Sequence, residues 1–244
     1  FSNLIINKSI RSNFIIYKKI DISKPVLIKK LFIFLKKKYS KIDVLINCAG
    51  IQHIDSVESF PELKWEKIIN TNLSSSFYTS KYILPLMKKN KWGRIINIAS
   101  VHGQVASINK SAYVASKHAL EGLTDCIRKE LMLYGIDVIL IEPGPVKTAI
   151  WDKAPSPNDN PFSKTEYDSI LKKFYKMVIE QGKLGIEANV VSKKIKKIIE
   201  MKKPKTRYVI TGKKLINYTL PSILPDRLFD KLTAKMLGIT TPKK

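Results

Sequence analysis

Short apolar runs alternate along this chain with longer segments whose apolar residues recur every three or four positions. The runs FIIYKKI (14–20), KIDVLIN (41–47), GRIINIA (93–99), GIDVILIE (135–142) and RYVI (207–210) are rich in Ile and Val and predict strands. GRIINIA scarcely alternates with polar residues, which fits a strand covered on both faces. Between the runs lie helical patterns. PVLIKKLFIFLKKKY opens with Pro25, whose fixed φ suits a first helical turn. Pro61 and Glu62 lead into LKWEKIINTNLSSSFYTSKYILPLMKK, which predicts one long helix kinked at Pro85. SAYVASKHALEGLTDCIRKELMLYG predicts an amphipathic helix closed by Gly135. Strands alternating with helices imply a parallel sheet with right-handed crossovers, the doubly wound α/β class.

The pattern loosens after Thr148. Segment 149–164, rich in Pro, Asn and Ser, reads as a loop or lid, with helices expected near 165–181 and 187–201. The tail LPSILPDRLFDKLTAKMLG (220–238) predicts an amphipathic helix, and its apolar face has three readings: packing on the body, a dimer contact or a membrane surface.

Length and composition narrow the class. At 244 residues the chain can bury one full core, and a single domain over 1–244 is expected, with 1–148 as its core and 149–244 as lid, last strand and tail helix. No apolar run approaches the ~18 residues of a membrane span, and the opening residues show no secretory pattern, so a cytoplasmic protein without a transmembrane segment is expected. The net charge of +24 could serve polyanion binding, but lysine far outnumbers arginine and is spread over nearly every helix. That distribution reads as solvated lysine faces, with no specific nucleic-acid partner. Cys48 and Cys126 stand far apart in apolar stretches and read as reduced core thiols, while His53, His102 and His118 lack zinc-type spacing, so no metal is expected.

Candidate chemistry concentrates in SVHGQVASINKSAYVASK (100–117). Tyr113 and Lys117 are four apart on a predicted helix, so they share a face, and a nearby ammonium favours phenolate and lowers a pKa of about 10. Ser100 follows an apolar strand and so stands at the carboxyl edge of the sheet, where open α/β folds bind ligands and a hydroxyl can hold a substrate oxygen.

These residues, with LINCAG (45–50), the Asn72 of INTNLSSSF and the EPGPVKT of 142–148, resemble the short-chain dehydrogenase/reductase family from about Asp21 to Thr148. The resemblance implies a Rossmann-type sheet, NAD or NADP as cofactor, and interconversion of an alcohol and a ketone. It implies Tyr113 as general acid/base, Lys117 as the residue that lowers its pKa and contacts the nicotinamide ribose, Ser100 as the donor to the reacting oxygen, and Asn72 as holder of a relay water. For the cofactor it implies Asp21 at the adenine, the turn of Asn47, Ala49 and Gly50, with Cys48 replacing the family's second asparagine, and the loop of Pro143, Gly144, Val146 and Thr148. Asp21 has an equally physical reading as the amino-cap of PVLIKKL. A homodimer or homotetramer through the helices of Asn72 and Tyr113 is implied as well.

The segments AGIQHIDSVESFP and SVHGQVASINKSAYVASKHAL further resemble bacterial D-3-hydroxybutyrate dehydrogenases, which implies that Gln52, His102 and Lys110 hold a substrate carboxylate. The last third points elsewhere: Ala154 falls near the position of another carboxylate-binding glutamine, and EPGPVKTAIW with the Pro-Asp-Arg-Leu tail resembles enzymes acting on retinol-, steroid- or other lipid-type alcohols.

One family feature is missing from the sequence. No glycine precedes Gly50, so the strand, glycine-rich turn and helix that receive a dinucleotide's pyrophosphate are not in it, and the residues that separate NAD from NADP go with them. Two explanations stand: an amino-terminally incomplete working enzyme, or a shortened relative acting as a noncatalytic binding protein.

Overall fold

β-Strands buried on both faces organise this chain. The structure, a computed structural model, describes residues 16–148 and 167–239. In chain order it contains α1 (Pro25–Lys38), β1 (Val44–Asn47), α2 (Glu62–Ile69), α3 (Ser75–Lys88), β2 (Gly93–Ile98), α4 (Ser111–Leu131), β3 (Ile136–Pro143), β4 (Val146–Lys147), α5 (Asp168–Lys183), β5 (Ile186–Glu187), α6 (Ala188–Glu200), β6 (Arg207–Ile210), α7 (Leu220–Ile223) and α8 (Asp226–Leu237). The main sheet is parallel throughout, in the order β1-β2-β3-β6, and β4 pairs with β5 in a second, two-stranded sheet.

The central strands explain their own composition. Ile95 and Val138 bury against α1 and α3 through Ile28, Phe32, Ile83 and Met87, while the neighbouring Ile96, Ile139 and Ile141 bury against Ile198 of α6. Successive side chains point to opposite faces, so burial on both sides demands an unbroken apolar run. Among the polar residues buried within these strands, Arg94 has a structural task. It is buried, and its guanidinium donates to the carbonyls of Ile198, Ile199 and Met201, closing the carboxyl end of α6.

The strands expected at 41–47, 93–99, 135–142 and 207–210 are present, but residues 16–20 form none. β1 is the outermost strand on that side among the described residues, and the run at 16–20 does not pair with its open edge. The expected long helix is also different. A π-helical turn over Asn70–Ser74 separates α2 from α3, and α3 continues through Pro85, so the irregularity lies about three turns before the proline. The tail is two helices: Pro225, which lacks an N–H, stands between α7 and α8. Pro25 begins α1 as expected, and Gly135 adopts φ 64° after the short 3-10 turn that follows α4.

α5 and α8 pack together through Leu171, Phe174, Val178 and Leu237, over Ile54 and beside Ile108. They roof the loops that follow β1 and β2, where the expected substrate cover belongs. The lid expected at 149–164, with Ala154, lies outside the described residues.

Candidate active site

The carboxyl ends of β1 and β2 and the first turns of α4 bring the predicted chemistry together. Ser100 is buried, its Oγ accepts from the His102 N–H at 3.2 Å and starts a single 3-10 turn, Val101–Gly103, and its side chain is near enough to the Tyr113 hydroxyl to influence its ionisation. Lys117, 4% exposed, donates to the Ile98 carbonyl at 2.8 Å and holds its ammonium 5.7 Å from the centre of the Tyr113 ring. The spacing of Tyr113 and Lys117 does bring them face to face.

Their electrostatics differ from the expectation. Burial holds the Tyr113 hydroxyl above its ordinary value, and the Ser100 side chain works against that. Lys117 is itself pushed down to about 8 by burial, with Cys48 acting in the opposite sense. Desolvation therefore outweighs the lowering of the phenol that the helical spacing predicts.

Asn72 is 1% exposed and fully engaged. Its Oδ1 accepts from the Ile51 N–H at 2.9 Å, and its Nδ2 donates to the Ile51 carbonyl at 2.9 Å and to Ser116 Oγ at 3.0 Å. Ser116 in turn donates to the Tyr113 carbonyl at 2.7 Å. The π-helical turn thus fastens the loop after β1 to the helix of Tyr113. Ile51 and Ser116 had no signal in the sequence, because their roles are backbone or long-range. Gly50 lies in the same place: a Cβ on it would stand 3.7 Å from both Asn72 Oδ1 and Lys117 Nζ.

The other predicted residues separate into groups. His102 and Lys110 join the Tyr113 cluster. The His102 ring stands edge-on to Tyr113 with centroids 6.0 Å apart, and its Nδ1 is 3.0 Å from the Val105 carbonyl, which fixes the proton there and leaves Nε2 an acceptor. Burial first, then the Lys110 charge, push His102 down to about 4, so the ring is neutral near pH 7. Lys110 is buried, lies 5.6 Å over the Phe174 ring, and is pushed down by burial to about 8. Gln52 is half-buried in the same loop as Gly50.

Pro143 ends β3, and Gly144 follows where a Cβ would collide with Thr211 Oγ1 at 2.1 Å, so the close approach to β6 requires glycine. Val146 lies in β4 and Thr148 is exposed just beyond it. The Asn47 side chain points inward, donating to Asn97 at 2.8 Å and accepting from Thr79 at 2.7 Å, whereas Ala49 is exposed. Asp21 is exposed and accepts from the Ser23 N–H and hydroxyl, at 3.0 and 2.7 Å, which lower its value below the usual carboxylate range. It does not cap α1, whose amino-cap is Lys24. The two cysteines are exposed rather than core residues: Cys48 stands in the turn after β1 and Cys126 on the outer face of α4.

The arrangement suits the nicotinamide half of a dinucleotide, since Gly50 puts no side chain beside the Lys117 ammonium, which has donors to spare beyond Ile98. The described residues offer no glycine-rich turn for its phosphates. Where β1 ends the sheet, Ile22, Leu35, Ile46 and Ala49 instead line an apolar groove. Among the described residues no cluster of metal-ligating side chains occurs, and no helix is long and apolar enough to cross a membrane.

The short chain dehydrogenase family model matches residues 5–159. The chain belongs to that family. The NADPH-dependent 3-dehydrocapnine reductase of Ornithobacterium rhinotracheale is 38% identical over 80% of this chain and 70% of its own length. The D-beta-hydroxybutyrate dehydrogenase of Rhizobium meliloti (strain 1021) is 44% identical over 58% of this chain, which spans 55% of that relative. In fold, a short-chain dehydrogenase from Streptomyces avermitilis superimposes with a TM-score of 0.70 over 91% of this chain and 77% of its own, at 21% identity.

Proposed function

We propose that this chain is an NAD(P)-dependent oxidoreductase that interconverts a secondary alcohol and a ketone at Ser100, Tyr113 and Lys117. The observation that carries this reading is the convergence of the three groups: the Ser100 side chain beside the Tyr113 hydroxyl, and Lys117 one turn away with its ammonium 5.7 Å from the Tyr113 ring. Lys117, Gly50 and the Pro143–Gly144 turn would hold the nicotinamide end of the cofactor, which when bound supplies or accepts the hydride. Ser100 orients the substrate oxygen by donating to it, and Tyr113 Oη gives or takes the proton of that oxygen. Lys117 favours the phenolate once its charge faces Tyr113 with water excluded. Asn72 acts here as a positioning residue, since all three hydrogen bonds of its amide hold Ile51 and Ser116.

The substrate reading is a small 3-hydroxy acid. Lys110 is a buried ammonium resting on Phe174 with no acidic partner among the described ion pairs, and such a cation stabilises a carboxylate placed beside it. Neutral His102 offers only an acceptor at Nε2 and must take up a proton to join in that binding. A second reading, 3-dehydrocapnine or a ketone related to it, is favoured by the longer match to the reductase. Turnover of 3-hydroxybutyrate and of 3-dehydrocapnine, followed by nicotinamide absorbance with each cofactor, separates the two. Tyr113→Phe should abolish whichever turnover is found with the fold intact, and retained turnover overturns the role of Tyr113.

A further inference from the structure

Away from the Tyr113 hydroxyl, two glutamates meet inside the fold. Glu142, on β3 next to Pro143, is fully buried, and Glu121, on α4 one turn beyond Lys117, is 4% exposed. Both lean on one guanidinium: Arg207 Nη1 of β6 donates to Glu121 Oε2 at 2.5 Å and to Glu142 Oε1 at 3.0 Å. Gln104 also donates to Glu121 Oε2, and the Tyr218 hydroxyl reaches Glu142 Oε1 at 3.5 Å. Arg207 Nη2 lies 3.4 Å from Asp125 Oδ2, and Asp125 accepts from Arg128 at 2.9 Å.

Two facts about this cluster do not balance. The second oxygens, Glu121 Oε1 and Glu142 Oε2, are buried without any hydrogen-bond partner, a condition that is costly for acceptors. Three carboxyl groups, of Glu121, Asp125 and Glu142, also face only two guanidinium groups, of Arg128 and Arg207, so full ionisation leaves one buried negative charge uncompensated. A single proton removes both difficulties, because a protonated carboxyl gains a donor and loses its charge.

We infer that Glu142 and Glu121 share one proton under the clamp of Arg207, and that this carboxyl-to-carboxylate hydrogen bond positions the Pro143–Gly144 turn against the helix that carries Tyr113 and Lys117. The proton-sharing half stands on the cluster alone, and the positioning half rests on the proposed function. Burial, followed by the hydrogen bond and charge of Glu121, raises Glu142 to about 7 against the opposing pull of Arg207. The folded protein therefore keeps a proton that the unfolded chain loses near its ordinary value of 4.5, and stability falls as pH rises between 4.5 and about 7. Glutamine at 142 copies the protonated, donating state at every pH.

The test is thermal unfolding of the full chain between pH 5 and 8.5, for the wild type, Glu142→Gln and Glu121→Gln, with infrared spectra of the wild type at pH 6. The wild-type Tm should fall relative to that of Glu142→Gln as pH rises across this range, ending about 2–4 °C below the variant at pH 8, while groups common to both proteins move the two melts together. The wild type should show a protonated-carboxyl C=O band at pH 6 that disappears by pH 8.5. Glu121→Gln reports on the same proton from the other side if Glu142→Gln fails to fold. A Glu142→Gln slope equal to the wild type, or a wild type without the band at pH 6, overturns the inference. For the positioning half, Glu142→Gln should alter KM for the nicotinamide cofactor with pH while kcat stays near wild type, and an unchanged KM profile overturns that half. Absent turnover with a wild-type melt that slopes against that of Glu142→Gln leaves the shared proton supported and counts against the Tyr113 reading alone.

Discussion

Lys117 donates to the carbonyl of Ile98 at 2.8 Å, which ties the helix of Tyr113 to the last residue of β2. The ammonium that performs this is buried and has been pushed down to about 8. The fold thus disfavours the charge that the chemistry uses, a tension common at functional sites.

Lys117→Met should consequently separate stability from function. Methionine keeps the volume of the stem, forfeits one hydrogen bond and removes a buried charge. The charging cost applies below the folded value of about 8 and fades as pH rises toward 10.5, so the gain is largest at neutral pH. Urea unfolding at pH 7 should show Lys117→Met more stable by about 1–2 kcal/mol, with turnover lost. A variant less stable than wild type at that pH contradicts the assigned burial cost.

How much of this was legible in the sequence depended on whether the cause was local. The strands at 93–98 and 136–143 announce themselves because burial on both faces needs continuous Ile and Val. The run at 14–20 carries the same pattern, yet 16–20 form no strand, since a strand requires a neighbour that no pattern displays. Tyr113, Lys117 and Ser100 were readable from helical spacing and from a strand end. The grip of Asn72 on Ile51 spans 21 residues and was not. Nor was the exposure of Cys48 and Cys126, whose apolar neighbours along the chain are not their neighbours in space. A glutamate closing an apolar strand, Glu142, was the visible trace of the buried carboxyl pair.

Gly50→Ala should leave the fold alone and affect the site. The added methyl would stand at ordinary contact distance, 3.7 Å, from Asn72 Oδ1 and Lys117 Nζ. A change in Tm within about 2 °C, together with at least tenfold weaker cofactor binding by fluorescence titration, is the expected result. Unaltered binding would show that the cofactor does not use the space beside Lys117.

Asn72→Leu removes three buried hydrogen bonds and leaves both backbone groups of Ile51 without their partner. The expected loss is about 2–4 kcal/mol in urea unfolding, with the greatest rise in amide exchange at residues 51–55. Exchange confined to the π-helical turn itself would instead make Asn72 a local element of that turn.

His102 makes the fold sensitive to acid. Its folded value of about 4 lies below its ordinary 6.5, so the unfolded chain takes the proton first and stability is lost as pH falls through that interval. His102→Asn can still donate to the Val105 carbonyl but does not titrate. Between pH 6.5 and 4 the wild type should lose about 1–2 kcal/mol more than the variant, a figure reduced for the solvent that reaches this half-buried ring. Equal acid slopes in matched urea titrations would assign the sensitivity to other groups.

The open edge of β1 predicts how the chain behaves in concentrated solution. β1 ends the sheet among the described residues, Ile46 is 42% exposed on it, and the apolar groove of Ile22, Leu35 and Ala49 runs alongside. Unpaired ladder groups beside apolar side chains are a template for pairing with another strand, and a lysine on such an edge opposes that pairing. Ile46→Lys places its charge where solvent already reaches, so the melt should move by less than about 2 °C. Light scattering should rise with concentration for the wild type and remain near the monomer value for Ile46→Lys. Equal scattering from both proteins would locate self-association on another surface, such as the exposed Leu228, Leu232 and Met236 of α8.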